Sequence, residues 1–244
     1  PSITVCHNVA PHEGMPFSKT LSRLYLRRQN ALVVHSSGEE KEALKLGPRV
    51  LRLFHPIYDQ YLSHGLPRDK ARKELGLEED RLALLFFGLV RKYKGLDLLI
   101  KACEKLPDNY RIIAAGENYT GESYSSPRML WKNAFVPDRD VGTWFNAADI
   151  VVLPYRTASQ SGIAQIATAF GKPMVVTPAG GLTEVVRDGL TGTIASDISP
   201  DALADAILRC SPLVGKQSTE EEIRKLAGTF SWTTYAEKLL AAIE

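Results

Sequence analysis

The stretch FFGLVRKYKGLDLLIKA, residues 86–102, decides how this chain is read. An apolar run stops at Gly88, the segment Arg91, Lys92, Tyr93, Lys94 follows, and Gly95 precedes a helical pattern. Leu96, Leu99, Ile100, Cys103 and Leu106 recur at helical spacing and form one buried stripe, which Pro107 and Asp108 end. The preceding run, LALLFF at 82–87, is apolar without alternation, as in a parallel strand covered on both faces. A strand that turns through glycine into a helix is a βα unit. A side chain at Gly88 would hinder close backbone approach. Arg91 and Lys94 stand before a helix start, whose free amides and dipole add positive potential. An anion with several oxygens, such as a diphosphate, suits that corner; a solvated charge run in a loop is the competing account of the same residues.

Outward from this stretch, short β-rich runs alternate with helical patterns. Strands are predicted at 3–7, 31–35, 50–54, 82–87, 110–115, 149–153, 173–177 and 192–195. Helices are predicted near 17–28, 39–46, 69–75, 95–106, 138–147, 161–170, 182–187, 200–210, 219–228 and 232–243. The fold class is therefore α/β, a Rossmann-like parallel sheet with helices on both faces, plus a partial second α/β unit. Residues 1–75 hold only three strands and are expected to close a sheet begun elsewhere in a longer protein, since Pro1 leads directly into SITVCHN. Residues 76–230 are expected to form the ligand-binding domain, and 231–244 a final helix.

In an open parallel sheet, ligands bind beyond the carboxyl ends of the strands. Five such turns exist. Besides the Gly88 corner, DIVVLP ends at Pro154, and Ser161 and Gly162 open the next helix: Ser161 is placed to cap it, and Gly162 leaves its first amides uncovered. Gly180 and Gly181 follow MVVT and precede Glu184, which suits sugar or ribose hydroxyls or, alternatively, a helix N-terminus. The loop after YRIIAA lacks dinucleotide-fingerprint spacing and is expected to be mobile and without chemistry. His7, His12 and Glu13 follow the first strand; no third metal ligand has suitable spacing, so no metal is expected. His35, His55 and His64 have no motif context and are expected to be structural.

Net charge is +2, from 30 Lys and Arg against 28 Asp and Glu. Residues 1–75 carry 12 basic against 7 acidic residues, so the excess is local. Part of it lies in SKTLSRLYLRRQN, residues 18–30, which reads as a solvated helix face or, less favoured, as a basic amphipathic surface meeting anionic lipid. Basic residues are not interleaved with aromatics, so a nucleic-acid partner is disfavoured. Cys6, Cys103 and Cys210 make no disulfide framework; a reducing, cytoplasmic location is expected, peripheral to the inner membrane face if residues 18–30 bind lipid.

FFGLVRKYKGLDLLIKA, FNAADIVVLPYR, SGIAQIATAFGKPMVVTPAGGLTEVV and DGLTG, in this order, resemble the nucleotide-sugar glycosyltransferases of GT-B fold, family 4. TVCHNVAPHE and ALVVHSSGEEKEAL resemble the closing part of that family's acceptor-side domain. The resemblance implies a retaining, metal-independent transferase without cofactor. It would move a sugar from a nucleoside-diphosphate donor, such as a UDP- or GDP-sugar, to a hydroxyl of a glycan, lipid-linked sugar or small acceptor. It maps diphosphate binding onto Gly88, Arg91, Lys94, Ser161, Gly162 and Ile163. Arg91 takes the place of an arginine the family often has where this chain has Leu89. Phe135 and Val136 correspond to the base-contacting segment, and His7 to the catalytic strand-tip histidine. The final helix would cross back to the acceptor side. The family's pair of glutamates, eight residues apart, falls on Ala158 and Ile166 here; Gln160, Gln165 or Glu184 are the candidates to replace it at the sugar and ribose. That departure keeps two alternatives open: a nucleotide-sugar-binding module without catalysis, and a GT-B-fold sugar-nucleotide epimerase.

Overall fold

The computed structural model describes residues 2–9 and 17–242. The apolar runs form strands, and every named strand pair is parallel. In the first sheet β1 (Ile3–Val5), β2 (Ala31–Val34) and β3 (Arg49–Arg52) stand in that order, linked through α1 (Ser18–Leu26) and α2 (Ser37–Leu44).

The second sheet contains β4 (Leu82–Phe87), β5 (Tyr110–Ala115), β6 (Met129–Lys132), β7 (Ile150–Leu153), β8 (Met174–Val176) and β9 (Gly192–Ile194). Its order is β6-β5-β4-β7-β8-β9. The chain thus builds outward from β4 in one direction, then returns to pair β7 with β4's other side, Leu84 opposite Ile150. That reversal is the topological switch point, where a crevice opens beyond the carboxyl ends of β4 and β7.

Helices α3 (Arg68–Glu74), α4 (Leu96–Cys103), α5 (Asp138–Ala147), α6 (Gly162–Ala169), α7 (Pro200–Cys210), α8 (Gln217–Thr229) and α9 (Trp232–Ala241) complete the fold. Alternate residues of β4 face opposite layers. Leu85 and Phe87 pack with Trp144 and Phe145 of α5 and Ala167 of α6. Leu84 and Phe86 pack with Leu99 of α4 and Leu203 and Ile207 of α7. Burial on both sides explains why this strand shows no polar alternation. Cys103 and Cys210 are buried packing residues, as their helical positions predict.

Helix α3 packs on α5 and is anchored below the second sheet. Arg72, only 3% exposed, and Arg68 both reach Asp149, at 3.2 and 2.6 Å. Arg72 also donates to the backbone carbonyls of Ala147, Glu78, Glu79 and Arg81. Helix α9 returns to the first sheet: Tyr235 lies 5.9 Å from the His35 ring and 5.7 Å from Phe54.

Two elements differ from the sequence pattern. Strand β6 was not expected; it is a four-residue edge strand of half-buried and exposed residues, too short for a periodic signal. The helix expected at 182–187 is a 3-10 turn, Gly180–Glu184. A Cβ on Gly180 or Gly181 would stand 1.8 or 2.1 Å from the carbonyl oxygens of Ala158 and Ser159, so this segment lies flat against the loop after β7 and has no room to coil further.

Candidate functional site

The two corners at the switch point meet. Gly88 ends β4 with φ +92°, a left-handed backbone that favours glycine. A Cβ there would stand 3.1 Å from Lys94 Nζ and 3.5 Å from Ile163 Cδ1 at the start of α6. Gly95, φ +69°, is pressed against β7's end: its Cβ would fall 2.1 Å from the Pro154 carbonyl oxygen. Lys94 Nζ lies 5.7 Å from the centre of the Tyr155 ring, whose hydroxyl is 3.3 Å from Ser161 Oγ. Gly88, Lys94, Tyr155, Ser161 and Ile163 therefore enclose one spot.

Burial lowers the Lys94 pKa; Tyr93 acts against this and Arg91 with it. Among the described residues no carboxylate pairs with its ammonium. Ser161 was expected to cap α6 with its side chain; its Oγ turns to Tyr155 instead and makes no cap bond. Among the described residues the first amides of α6 therefore have no side-chain acceptor, which an anion would supply. Tyr58 lies over them, its ring edge 3.0 Å from where a Gly162 Cβ would be.

Arg91 lies beside this spot and stacks 4.9 Å from the Tyr119 ring centre. Tyr119 belongs to the loop after β5, expected to be mobile and without chemistry. That loop is tied instead to β4's exit, by Val90 N–H to Glu117 O at 2.8 Å and Tyr119 N–H to Val90 O at 2.9 Å. β6 joins the same edge, with Trp131 Nε1 donating to Gly116 O at 3.2 Å. Phe135, 67% exposed, follows β6 on this edge; the Val136 side chain turns into the core.

The remaining candidates gather between the two sheets. His7 is exposed at the tip of β1; its ring stands 5.4 Å from those of both His35 and His55, themselves 5.3 Å apart. Glu184 spans the cleft. Its Oε1 accepts from Ser37 N–H at 3.1 Å and Ser37 Oγ–H at 2.6 Å, and its Oε2 pairs with Arg52 at 3.1 Å. The dipole role considered for Glu184 is thus exerted on α2, 147 residues away in sequence, rather than on its own turn. Gln160 donates its amide to the His35 carbonyl. His12 and Glu13 lie outside the described residues. Among the described residues no group of three or more His, Cys, Asp or Glu side chains is arranged to hold a metal ion.

Residues 81–211 match the family described as glycosyl transferases group 1. The chain belongs to this family. It is 34% identical over 231 residues to the D-inositol 3-phosphate glycosyltransferases of Mycobacterium tuberculosis and Mycobacterium bovis. That match takes in 86% of this chain and 48% of theirs, so the chain spans about half the length of these curated relatives. Among solved structures, Anabaena Alr3699/HepE in complex with UDP superposes with a TM-score of 0.81 at 18% identity, over all of this chain and 72% of that one. Sucrose-phosphate synthase from Thermosynechococcus elongatus superposes with a TM-score of 0.76 at 16% identity, over 99% and 66% of the respective chains. The fold is therefore that of the GT-B glycosyltransferases.

Within this glycosyltransferase family frame, the two positions that lack carboxylates have structural occupations. Ile166 is 6% exposed and packs in the core beneath α6, while the Ala158 carbonyl backs onto Gly180. Tyr155, Tyr58 and the Arg52–Glu184 pair were not anticipated. Tyr155 had one available signal, its place directly after the proline that ends β7; the cross-cleft pair had none.

The buried histidines predict a pH dependence. Burial pushes His35 down to about 4, with His55 the next cause, and burial also lowers His55. A His pKa depressed on folding means that the unfolded chain binds more protons in the window from 6.5 down to about 4. Stability is therefore expected to fall as pH drops through that window, by about 3 kcal/mol from His35 alone. Chemical denaturation at stepped pH checks this: His35→Gln should flatten the slope, and an unchanged slope would refute the assignment.

Proposed function

We propose that this chain is the nucleotide-sugar-binding portion of a retaining glycosyltransferase, which moves a sugar from a UDP- or GDP-sugar to a hydroxyl of a glycan, lipid-linked sugar or small acceptor. The observation that supports this best is the half-buried Lys94 ammonium at the Gly88 corner, facing the start of α6 and, among the described residues, without a carboxylate partner. A cation drawn partly out of water without a counter-charge is costly unless something anionic joins it. The donor's diphosphate is that anion.

During glycosyl transfer, negative charge grows on the departing nucleoside diphosphate. Lys94 and the first amides of α6 are fixed where that charge would develop and offset it without reorganising, with Arg91 as a second cation at the rim. These fixed charges supply what a divalent ion would otherwise supply, so transfer without metal is part of the proposal. Phe135 would cover the base, and His7 would face the sugar and acceptor from the first sheet.

The test uses the full-length protein with UDP- and GDP-sugars, an acceptor panel and a chelator. Product with the donor's anomeric configuration, seen by NMR, supports the proposal. An inverted product would remove the retaining assignment, and a reaction abolished by the chelator would remove metal independence. A second reading, a binding module without catalysis, is favoured by the apolar Ile166 and Ala158 where the family carries carboxylates. Donor binding without transfer by the full-length protein would select it.

Contact with anionic lipid through residues 18–30 also belongs to the proposal. α1 exposes Leu21, Leu24 and Tyr25 and carries Lys19 and Arg23. Among the described residues no helix is long and apolar enough to cross a membrane. Cosedimentation with phosphatidylglycerol vesicles but not phosphatidylcholine vesicles is expected; no cosedimentation with either would exclude this contact.

A further inference from the structure

The turn that carries Lys94 is held from the far side of the switch point. Arg156, in the loop after β7, donates its backbone N–H to the Tyr93 carbonyl at 2.6 Å. Its guanidinium donates to the Lys92 carbonyl at 2.9 Å and to both oxygens of Asp97, at 2.9 and 2.6 Å. Asp97 stands in the first turn of α4. Arg156 therefore bonds the two residues before Lys94 and the helix after it. Its neighbour in sequence, Tyr155, meets Tyr93 edge-on with centres 6.0 Å apart and has the Lys94 ammonium over its ring.

The fork of two bonds to one carboxylate fixes the plane of the guanidinium as well as its place. Burial would raise the Asp97 pKa, but the bonds and charge of Arg156 prevail and hold the carboxyl below its usual range, so the pair stays ionised. The two side chains are 39% and 32% exposed, and a pair this open to water adds little to global stability. Its bonds end instead on the backbone of a three-residue 3-10 turn, Lys92–Lys94. Such a turn is weakly fixed by its own hydrogen bonds, here Lys94 N–H to the Arg91 carbonyl at 2.9 Å and Gly95 N–H to the Lys92 carbonyl at 3.3 Å. A further tie, from Lys92 to Glu122 at 3.0 Å, joins two exposed groups and constrains the turn less.

We propose that Arg156 is a positioning residue for the donor site: held by Asp97, it fixes the turn so that the Lys94 ammonium faces the start of α6. Both terminal nitrogens of its guanidinium are engaged by Asp97, so Arg156 acts through Lys94 and is not itself a ligand. The proposal rests on the nucleotide-sugar reading for the anion that Lys94 meets, while the place of the ammonium is a property of the free protein.

Arg156→Gln and Asp97→Ala break the same link but change the local charge in opposite senses, so a shared effect is one of position. Calorimetry with UDP and UMP reads it on the whole chain. Each variant is expected to lower the preference for UDP over UMP roughly fivefold or more with UMP affinity unchanged. Arg156→Gln added to Lys94→Met is expected to lower it no further. Equal losses for UDP and UMP would make Arg156 a structural residue, a further loss in the Lys94→Met background would mean that it acts apart from Lys94, and Asp97→Ala binding UDP as well as the wild type or better would make it a direct ligand; each overturns the proposal.

A second readout needs no nucleotide. Burial, opposed by Tyr93 and reinforced by Arg91, lowers the Lys94 pKa. NMR titration of the chain with isotope-labelled lysine follows this group, its signal assigned by its absence from Lys94→Met. Both variants are expected to move the Lys94 pKa up towards the ordinary lysine value as the ammonium turns to water. Failure of UDP to bind the wild type would refute the nucleotide reading alone, and the titration would still decide this one: an unchanged pKa, or shifts of opposite sign as the lost charges by themselves would give, overturns it.

Discussion

Replacing Lys94 by Met is expected to have two opposite effects: a higher melting temperature for the ligand-free protein, and UDP binding weakened by roughly 10- to 100-fold. Both follow from one fact. The Lys94 ammonium is half-buried beside Gly88, Ile163 and Tyr155, and among the described residues no carboxylate compensates it. In the empty site, Met keeps the length and packing of the stem and removes an uncompensated charge, which stabilises the fold. In the liganded site the same change deletes a charge-assisted hydrogen bond to phosphate, a loss of about 1.5–3 kcal/mol. Thermal unfolding with and without UDP reads both effects together. A lower melting temperature without ligand would mean that Lys94 is a structural residue; an unchanged response to UDP would mean that the anion binds elsewhere. Arg91→Ala is expected to act in the same direction on UDP but without the stability gain, since its guanidinium is stacked on Tyr119.

The second large effect is expected far from the site. Asp149→Ala should destabilise the protein by about 3–5 kcal/mol, because it leaves the guanidinium of Arg72 buried without its counter-charge. Asp149 also accepts the Ala83 N–H at 2.7 Å, so the first residues of β4 lose a partner as well. Arg72 cannot move to solvent without giving up its bonds to Ala147, Glu78 and Arg81. The control is the double variant Arg72→Leu with Asp149→Leu. Removing both charges should cost much less than removing the acid alone. Urea unfolding of the three proteins checks this, and an Asp149→Ala loss under about 1 kcal/mol would show that Arg72 does not depend on its acid.

Those two sites also show which features a sequence exposes. The Gly88 corner was legible because every part of it is local. An apolar run with no alternation, a glycine, cations and a helical stripe all fall within residues 82–106. The strands that flank it, 82–87 and 110–115, coincide with β4 and β5 for the same reason. That Ser161 and Ile163 close on this corner followed from topology, since parallel strands around a switch point bring their carboxyl ends together.

Contacts between distant segments left no such trace. The bond from Glu184 to Ser37 and the pair of Arg72 with Asp149 join residues 147 and 77 positions apart, and neither partner's neighbours show a pattern that requires the other. Glu184 stands as a plausible hydroxyl ligand when read alone, yet both of its oxygens are engaged across the cleft. Ser161 illustrates the same limit at short range. Its type and place predict a cap, but the hydroxyl of Tyr155, six residues before it, takes the side chain instead. His35 and His55 had no motif around them. Only the parallel register of β1, β2 and β3 brings them beside His7.

The measurement that bears most directly on the diphosphate corner is the ratio of UDP to UMP affinity, taken by calorimetry on the wild-type chain and on Lys94→Met. Uridine and the first phosphate are common to both ligands, so the ratio isolates the terminal phosphate. The expected result is a preference for UDP of at least tenfold in the wild type that collapses towards unity in the variant. A preference that survives the loss of Lys94 intact would contradict the assignment of this corner to the donor's diphosphate.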